Sequence, residues 1–506
     1  QDWGISRNRY WGTPLPIWEC GCGHRHCIGS IEELKSMSDN CPDDIELHRP
    51  YIDVVTLKCP ECGGEMHRVP EVIDCWYDSG SMPFAQHHYP FENRELFESQ
   101  FPADFISEAV DQTRGWFYSL LAISTILFDR APYKNVIVLG LVQDEDGQKM
   151  SKSKGNAVDP FDALNTYGAD AIRWYFYTNS APWLPSRFSG KAVVEGQRKF
   201  MGTLVNTYAF WVLYADIDSF DPTKYSLKDC ELSTMDRFIL SRMNTMVKKV
   251  DSELAAYMIP EAARALSGFV DELSNWYVRR SRERFWGKGM DADKIAAFMT
   301  LYTCLVTTAK AAAPMIPFLS EDIYRNLVCT VDKDAPISVH LCSFPEADES
   351  MIDEKLERDM EFILRVVNLG RSARNGANIK NRQPIAKMYV KTDEAIGDYY
   401  RDIVMDELNV KNVEFIPDVS AFSSYNFKPQ LKTVGPKYGP LLGKIKTALA
   451  GLDGNDAKDE LDRTGALVFD FDGTEVRLTE EDLLIEVEQK PGYFSVSDMG
   501  ITVAID

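Results

Sequence analysis

Gly147-Gln148-Lys149-Met150-Ser151-Lys152-Ser153-Lys154-Gly155-Asn156 is the stretch on which the reading of this 506-residue chain turns. Lysines and serines alone make ordinary solvated loops. This string, however, follows the apolar run Asn135-Val136-Ile137-Val138-Leu139 and precedes a helical pattern, with a glycine at each side. The apolar run predicts a buried strand. Pro160 opens a helix predicted to run to Tyr177, since a helix accepts proline in its first turn. A mobile loop bearing ammonium groups suits a reaction in which pyrophosphate leaves. Charge builds on the departing oxygens, and positioned lysines stabilise it more in the transition state than before it. The string is not a Walker loop, which needs a glycine, four residues and then Gly-Lys.

Upstream, Asp104-Phe105-Ile106-Ser107 predicts a second strand, followed by a helix through Leu127. Strand, helix, strand, helix is the order of a parallel α/β layer. Between about 191 and 345 apolar residues recur at three- and four-residue steps: Ile239, Met243, Met246, Val250, Leu254 and Tyr257, then Leu266, Phe269, Val270, Leu273 and Trp276. That periodicity predicts a helix bundle, with a third helix from near Ala296 broken at Pro314 and Pro317. Beyond 346, a helix over 353–369 leads into a mixed region with strands at 388–390 and 483–487 and a Gly/Asp-rich loop or short helix at 450–464. The expected fold class is multidomain α/β plus all-α, divided at 1–190, 191–345 and 346–506, the last a small α+β domain.

Seven of the eleven cysteines precede residue 76. An odd number without a secretory leader argues against a disulfide framework, and the clustering argues for metal. Cys20-Gly-Cys22 and Cys59-Pro-Glu-Cys62-Gly-Gly place paired thiols on tight turns, the arrangement that brings four thiolates to one tetrahedral zinc. The first pair has one intervening residue instead of two, so Cys27, His24 and His26 stand as alternative ligands. Four protein ligands would make such a site, over about 17–70, structural.

The net charge of −22 argues against a general nucleic-acid binder. A local basic face is nevertheless enough, and Arg279, Arg280, Arg282, Arg284 and Lys288 stand against Glu283 alone. Hydrophobic content of 45% and charged content of 26% are ordinary for a globular chain. The longest apolar candidate, 116–128, is interrupted by Tyr118, Ser119, Ser124 and Thr125, so no membrane span is expected. The opening Gln1-Asp2-Trp3, in place of Met, leads us to expect a piece of a longer protein.

Lys149-Met150-Ser151-Lys152-Ser153 matches the second signature motif of the class I aminoacyl-tRNA synthetases. Asp2-Trp3-Gly4-Ile5-Ser6-Arg7-Asn8-Arg9-Tyr10-Trp11-Gly12-Thr13-Pro14 resembles the point where those chains re-enter the catalytic domain after the editing insertion. Asp74-Cys75-Trp76-Tyr77-Asp78-Ser79-Gly80 is similar to another catalytic block. Asp111-Gln112-Thr113-Arg114-Gly115-Trp116-Phe117 resembles the form found in isoleucyl-tRNA synthetases, where valine and leucine relatives differ. Asn275-Trp276-Tyr277-Val278-Arg279-Arg280 and Asn378-Ile379-Lys380-Asn381-Arg382-Gln383-Pro384 resemble blocks of the anticodon-binding bundle and beyond. The similarity covers nearly the whole chain and looks closest to the archaeal and eukaryotic type.

This resemblance implies the second half of a class I Rossmann-like catalytic domain with a zinc ribbon, then a helical anticodon-binding domain. It implies ATP-dependent activation of L-isoleucine and transfer to tRNA(Ile), with Mg2+ and structural zinc, in a cytoplasmic and monomeric enzyme. Trp76 and Trp116 would flank the branched side chain with Gln112 and Asp111 beside it; large apolar rings suit that group. Glu108 would contact the aminoacyl-adenylate. Lys149, Ser151 and Lys152 would bind ATP, the two lysines acting in catalysis. Arg279, Arg280 and Arg284 would meet tRNA, and Cys20, Cys22, Cys59 and Cys62 would hold the metal. The family's His-x-Gly-His string does not occur in these 506 residues. The chain alone is therefore expected to lack adenylation activity and to need the other half of the enzyme. The rivals are a valine or leucine sibling and a non-catalytic tRNA-binding zinc-ribbon protein.

Overall fold

The computed structural model describes residues 3–392, 396–418, 422–489, 492–498 and 500–506. Chain contacts divide it into two units. The first comprises Gln1–Ser226, Met246–Met290 and Leu301–Glu346; the second comprises Leu227–Thr245, Asp291–Thr300 and Ala347–Asp506.

In the first unit, β1 (Ile17–Cys20), β2 (Arg25–Cys27), β3 (Leu57–Lys58) and β4 (Glu65–Arg68) form an antiparallel sheet in the order β2-β1-β4-β3. Strand alternation sends Trp18, Cys20, Leu57 and Met66 inward, where they pack with Ile28, Leu34, Ile52, Val55 and Cys59. The Trp18 indole donates to Val55 O at 2.8 Å. Arg68, with a side chain 1% exposed, is neutralised by Asp53 at 2.5 Å.

α1 (Cys75–Ala85) follows, and then β5 (Ala103–Ala109), α2 (Trp116–Phe128) and β6 (Tyr133–Leu139). β5 and β6 pair in parallel, with Phe105 opposite Asn135 and Ala109 opposite Leu139, so the predicted α/β layer is present. α1 lies close on α2: a Cβ at Gly80 would stand 2.7 Å from Ile123 Cδ1 and 2.9 Å from Ser119 backbone. The expected burial of β6 is not observed. Val136 and Leu139 are exposed, as are Phe105 on β5 and Leu121 and Ile126 on α2. Among the described residues this sheet has two strands, and a parallel pair normally lies inside a larger covered sheet.

The next pair, β7 (Val142–Gln143) and β8 (Ser186–Arg187), is also parallel. The single helix predicted from Pro160 to Tyr177 is two, α3 (Pro160–Tyr167) and α4 (Ala169–Asn179), split at Gly168, whose φ is +84°. Asp159 caps α3 by accepting from the Phe161 and Asp162 amides. The buried Asp170 on α4 accepts from Leu319 N at 2.7 Å, while Arg173 donates to Pro314 O and Met315 O, tying α4 to the segment around Pro317.

The predicted helices appear as α5 (Thr234–Ala255), α6 (Ile259–Glu272), α7 (Arg279–Trp286), α8 (Ala292–Ala312) and α9 (Pro317–Tyr324). A π-helical turn, Leu273–Val278, links α6 to α7. Tyr257 falls beyond α5, at φ +58°. α8, longer than the apolar stretch singled out in the sequence, is long and apolar enough to cross a membrane by length and composition, but 67% of its most apolar window is buried within the protein.

In the second unit, α10 (Glu354–Gly376) runs seven residues past its predicted end. It packs on a sheet of β9 (Met388–Lys391), β10 (Val413–Ile416), β11 (Phe494–Asp498) and β12 (Ile501–Ile505), in the order β10-β9-β12-β11. The predicted strand at 483–487 is Leu483–Gln489, paired antiparallel with Ser423–Pro429. The stretch read as loop or short helix contains the helix Gly454–Thr464, capped by Asp453.

Candidate functional site

One site-bearing segment leaves the C-terminal end of β5, and the other follows its parallel neighbour β6 by way of the short β7; open α/β sheets bind their ligands beyond such strand ends. After β5, a 3-10 turn (Val110–Arg114) carries Asp111 and Gln112 and delivers the chain to Gly115. Gln112 Oε1 accepts from the Trp116 amide at 3.0 Å, and its Nε2 donates to Asp111 Oδ2 at 3.1 Å. Trp116 Nε1 donates to Ser79 O at 3.1 Å, fixing that indole against α1. A Cβ at Gly115 would stand 2.8 Å from Gln112 Oε1 and 2.9 Å from the Trp76 ring, so both side chains close over this glycine and a larger residue would have to displace them. Trp76, Gln112 and Trp116 are thereby gathered in one cluster, with Trp76 40% exposed. Glu108 lies exposed on β5, one residue before the strand ends.

α1 is held at its N-terminus by the buried Asp74, which accepts from Trp3 Nε1 at 2.8 Å and pairs with Arg7 at 3.1 Å. Thr13 Oγ1 donates to Asp78 Oδ2 at 3.1 Å. Burial, helped by neighbouring Asp74, lifts the Asp78 carboxyl above its ordinary value despite that bond.

The KMSKS string is a clamped loop. Asp144 Oδ1 accepts from the Gln148 and Asp146 amides at 2.7 and 3.1 Å, and Oδ2 accepts from Asn156 Nδ2 at 2.7 Å. The Asn156 bond above all, then the Gln148 amide, hold that carboxyl below its usual range. Asn156 also accepts from Ser151 N at 2.9 Å and donates to Lys149 O at 3.3 Å. Ser151 caps the turn Lys152–Lys154, and Gly155 closes it at φ +67°. Met150 packs against the buried cluster of Ala163, Ala171, Tyr175, Phe188 and Val193 and anchors the loop, while Lys149, Lys152 and Lys154 remain exposed. Sequence reasoning named the lysines and missed the clamp. The one signal was an aspartate opening a Gly-containing turn with an asparagine at the string's far end.

The four predicted thiols, and only they among the nearby candidate ligands, form a group whose sulfurs all lie within 4.8 Å of one another. Cys20 and Cys62 are 3.5 Å apart, and Cys22 and Cys59 3.8 Å. A tetrahedron with Zn–S bonds of about 2.3 Å has edges of about 3.8 Å, so the donor set fits zinc. Gly63 at φ +71° turns the second knuckle, and a Cβ at Gly64 would press to 3.2 Å on Cys62 Sγ. Burial pushes the Cys59 thiol up, but the Cys62 and Glu61 amides and the neighbouring thiols outweigh it and bring it to about 7. Backbone amides pull Cys20, Cys22 and Cys62 down, yet burial and shared thiol hydrogen bonds leave them raised. The alternative ligands lie outside the group: Cys27 is exposed, and His26 is bonded to Glu33 at 2.9 Å.

On α7, Arg279 and Arg282 are exposed and Arg280 and Arg284 half-buried on one face. Arg279 and Arg280 stand over the buried Trp276 ring at 5.9 and 5.7 Å. These pairs rest on a π-helical turn, a distortion frequent at functional sites.

Residues 1–184 match the family tRNA synthetases class I (I, L, M and V), and residues 236–390 match the anticodon-binding domain of tRNA ligase. The two matches follow one another along the chain, a class I tRNA synthetase region of that group and then an anticodon-binding region. The chain is 57% identical over 507 residues to isoleucine–tRNA ligase of Clostridium novyi and 56% identical over 505 residues to that of Clostridium acetobutylicum. These alignments take in 100% and 99% of this chain but 49% and 48% of the relatives, so the chain spans about half their length. The Agrobacterium radiobacter K84 agnB2 LeuRS, solved in a ternary complex with tRNA and LeuAMS, superposes with a TM-score of 0.52 at 21% identity, over 70% of this chain and 43% of that one. That likeness establishes a shared fold.

Proposed function

We propose that this chain is the part of an isoleucine–tRNA ligase that carries the KMSKS lysines, the isoleucine side-chain pocket and the tRNA-facing helices. In this reading 1–190 belong to the catalytic domain, 191–345 read the anticodon arm and 346–506 form a junction domain. One observation carries the proposal: Gln112 and Trp116 follow the end of β5 and close on Trp76 of α1, while the clamped Lys149–Ser153 loop follows β6, the parallel neighbour of β5, by way of the short β7. Trp76 and Trp116 hold the branched side chain, with Gln112 and Asp111 fixing the pocket's polar edge. Glu108 is in place to meet the adenylate. The isoleucine carboxylate attacks the α-phosphorus of ATP and pyrophosphate leaves. Lys149 and Lys152, with Ser151 setting the turn, face the charge that develops on it. Magnesium bound with ATP would supply further positive charge for this step. A zinc held by Cys20, Cys22, Cys59 and Cys62 is structural. The enzyme works on tRNA(Ile) as a cytoplasmic monomer.

The exposed apolar residues of β5, β6 and α2 (Phe105, Val136, Leu139, Leu121 and Ile126) argue that further strands and helices complete this sheet. With no His-x-Gly-His string, the 506-residue chain alone is expected to give no isoleucine-dependent ATP–pyrophosphate exchange. Co-expression with the remaining portion of the Clostridium novyi relative is expected to restore it, and Lys152→Ala to lower the restored rate by roughly 100-fold or more. Exchange by the chain alone would overturn this division of labour. Exchange of the restored enzyme with valine or leucine in preference to isoleucine would overturn the substrate.

On the RNA side, Arg279→Ala/Arg280→Ala is expected to weaken binding of an isoleucine tRNA transcript and lower the slope of log K against log salt by about 1 to 2. An unchanged slope would remove α7 from the RNA interface.

A further inference from the structure

The block Asn378-Ile379-Lys380-Asn381-Arg382-Gln383-Pro384 forms the loop just beyond α10. Beneath it lies Arg374, on the last turns of α10 and 1% exposed. Among the described residues no carboxylate meets this guanidinium. Its NH1 donates to Leu408 O at 2.7 Å, and its NH2 donates to Lys380 O at 2.5 Å, to Asn381 O at 3.2 Å and to Gln383 O. Nε has no partner among the described residues. Burial draws the group's pKa down from its ordinary value. A planar fork can reach helix end and loop at once; a lysine's point charge cannot.

The carbonyls of the loop are thus turned inward and its side chains outward. Asn378, Lys380, Asn381, Arg382 and Gln383 are all exposed, Asn378 at φ +58°, and Gln383 N closes a turn on Lys380 O at 2.9 Å. Lys380 and Arg382 form no ion pair among the described residues. Glu407, next to Leu408 in the chain, pairs with Arg371 at 2.8 Å, and Glu414 pairs with Lys387 at 2.6 Å. The C-terminus of α10 contributes about half a negative charge. Three cations against that leave the loop strongly positive in a chain of net charge −22. Exposed cations interleaved with asparagine and glutamine amides are the groups that contact phosphate and ribose. The loop also falls inside the 236–390 match to the anticodon-binding domain.

We infer that loop 378–383, pinned from beneath by Arg374, is an RNA-phosphate contact distinct from Arg279 and Arg280. The inference rests on the reading that this chain binds tRNA, and the test separates the two. Binding of an isoleucine tRNA transcript to the 506-residue chain is measured across salt for wild type, R279A/R280A, K380A/R382A, K380R/R382K and R374K. Because Lys380 and Arg382 are exposed, their replacement leaves the fold intact. K380A/R382A is expected to weaken binding on the order of tenfold at moderate salt and to lower the salt slope by about 1 to 2. K380R/R382K is expected to keep wild-type slope. R374K, which keeps the charge and loses the fork, is expected to bind less tightly with the slope retained. If K380A/R382A binds as wild type while R279A/R280A is weakened, this inference fails and the tRNA reading stands. No binding by wild type overturns both. Inorganic phosphate at matched ionic strength is expected not to compete; competition by phosphate alone would make this a small-anion site and overturn the RNA assignment.

Discussion

Stripping the metal from the four-cysteine site, or replacing Cys59 with Ser, is expected to unfold the ribbon over 17–68. Its core holds nine buried residues, two of them the candidate ligands Cys20 and Cys59. A module this small is marginal on burial alone. A four-thiolate zinc contributes an apparent ~10–16 kcal/mol in zinc-finger peptides, more than such a core supplies. The chain is therefore expected to carry one zinc. Chelation under mild conditions should release it and make four further thiols reactive toward a thiol reagent, Cys22 and Cys62 first because they are exposed. The β-rich part of the signal should be lost while the helical units stay folded. A Cys59→Ser chain that keeps one equivalent of zinc and the same unfolding midpoint would sink the assignment. The consequence would reach the pocket, because Arg68 of β4 donates to Leu15 O and Glu71 O, the segments flanking the ribbon, and Leu15 N bonds to Glu71 O at 3.2 Å. α1, with Trp76, starts a few residues beyond.

What could be read in advance followed how locally each feature is encoded. The four-cysteine group was legible because knuckle geometry is written into spacing and glycines. β5 and β6 were legible as strands because β-rich runs lie between turn residues. Their burial was not: the apolar pattern of Val136 to Leu139 reports the sheet the strand is built for, whereas among the described residues one face is open. Gly168 was passed over because the apolar period continues across it and one glycine is tolerated in a helix; the break depends on its positive φ and on Asp170 being bonded to Leu319. The aromatic cluster needed the family resemblance, since nothing in the spacing of Trp76 and Trp116 brings them together. The close packing that does so, at Gly80 and Gly115, is a property of the tertiary approach. Arg374 was invisible for the same reason: a charge in a polar helix reads as solvated, and only the returning loop buries it.

Gly140→Ala is expected to be the most damaging single methyl group near the proposed active site. Gly140 follows β6 directly, and its amide donates to Pro182 O at 2.8 Å, drawing segment 182–185 against the strand end. A Cβ there would lie 2.2 Å from Leu184 O, 2.4 Å from Leu184 C and 2.8 Å from Pro185 N. All three are backbone atoms, so no rotamer change relieves the clash, and the two segments must separate. Overpacking usually costs 1–3 kcal/mol, and a clash confined to backbone belongs at or above the top of that range, about 3 kcal/mol. The displaced segment is the one that builds the KMSKS platform. Ser186 N bonds to Leu141 O at 3.0 Å, Phe188 N bonds to Gln143 O at 2.8 Å, and the Arg187 guanidinium would meet a Cβ at Gly147 at 3.0 Å. Separation at Gly140 should therefore loosen the loop as well as lower stability, exposing Lys149, Lys152 and Lys154 to faster tryptic cleavage. Gly155→Ala provides the contrast. It sits inside the loop at φ +67° with nothing within 4 Å, so its cost is backbone strain alone, about 1 kcal/mol. Denaturant midpoints and trypsin rates for the two variants decide the matter. If Gly155→Ala proves the more destabilising, or if Gly140→Ala leaves loop cleavage unchanged, then the loop does not depend on the approach of 182–185 to β6, and the clamp between Asp144 and Asn156 holds it unaided.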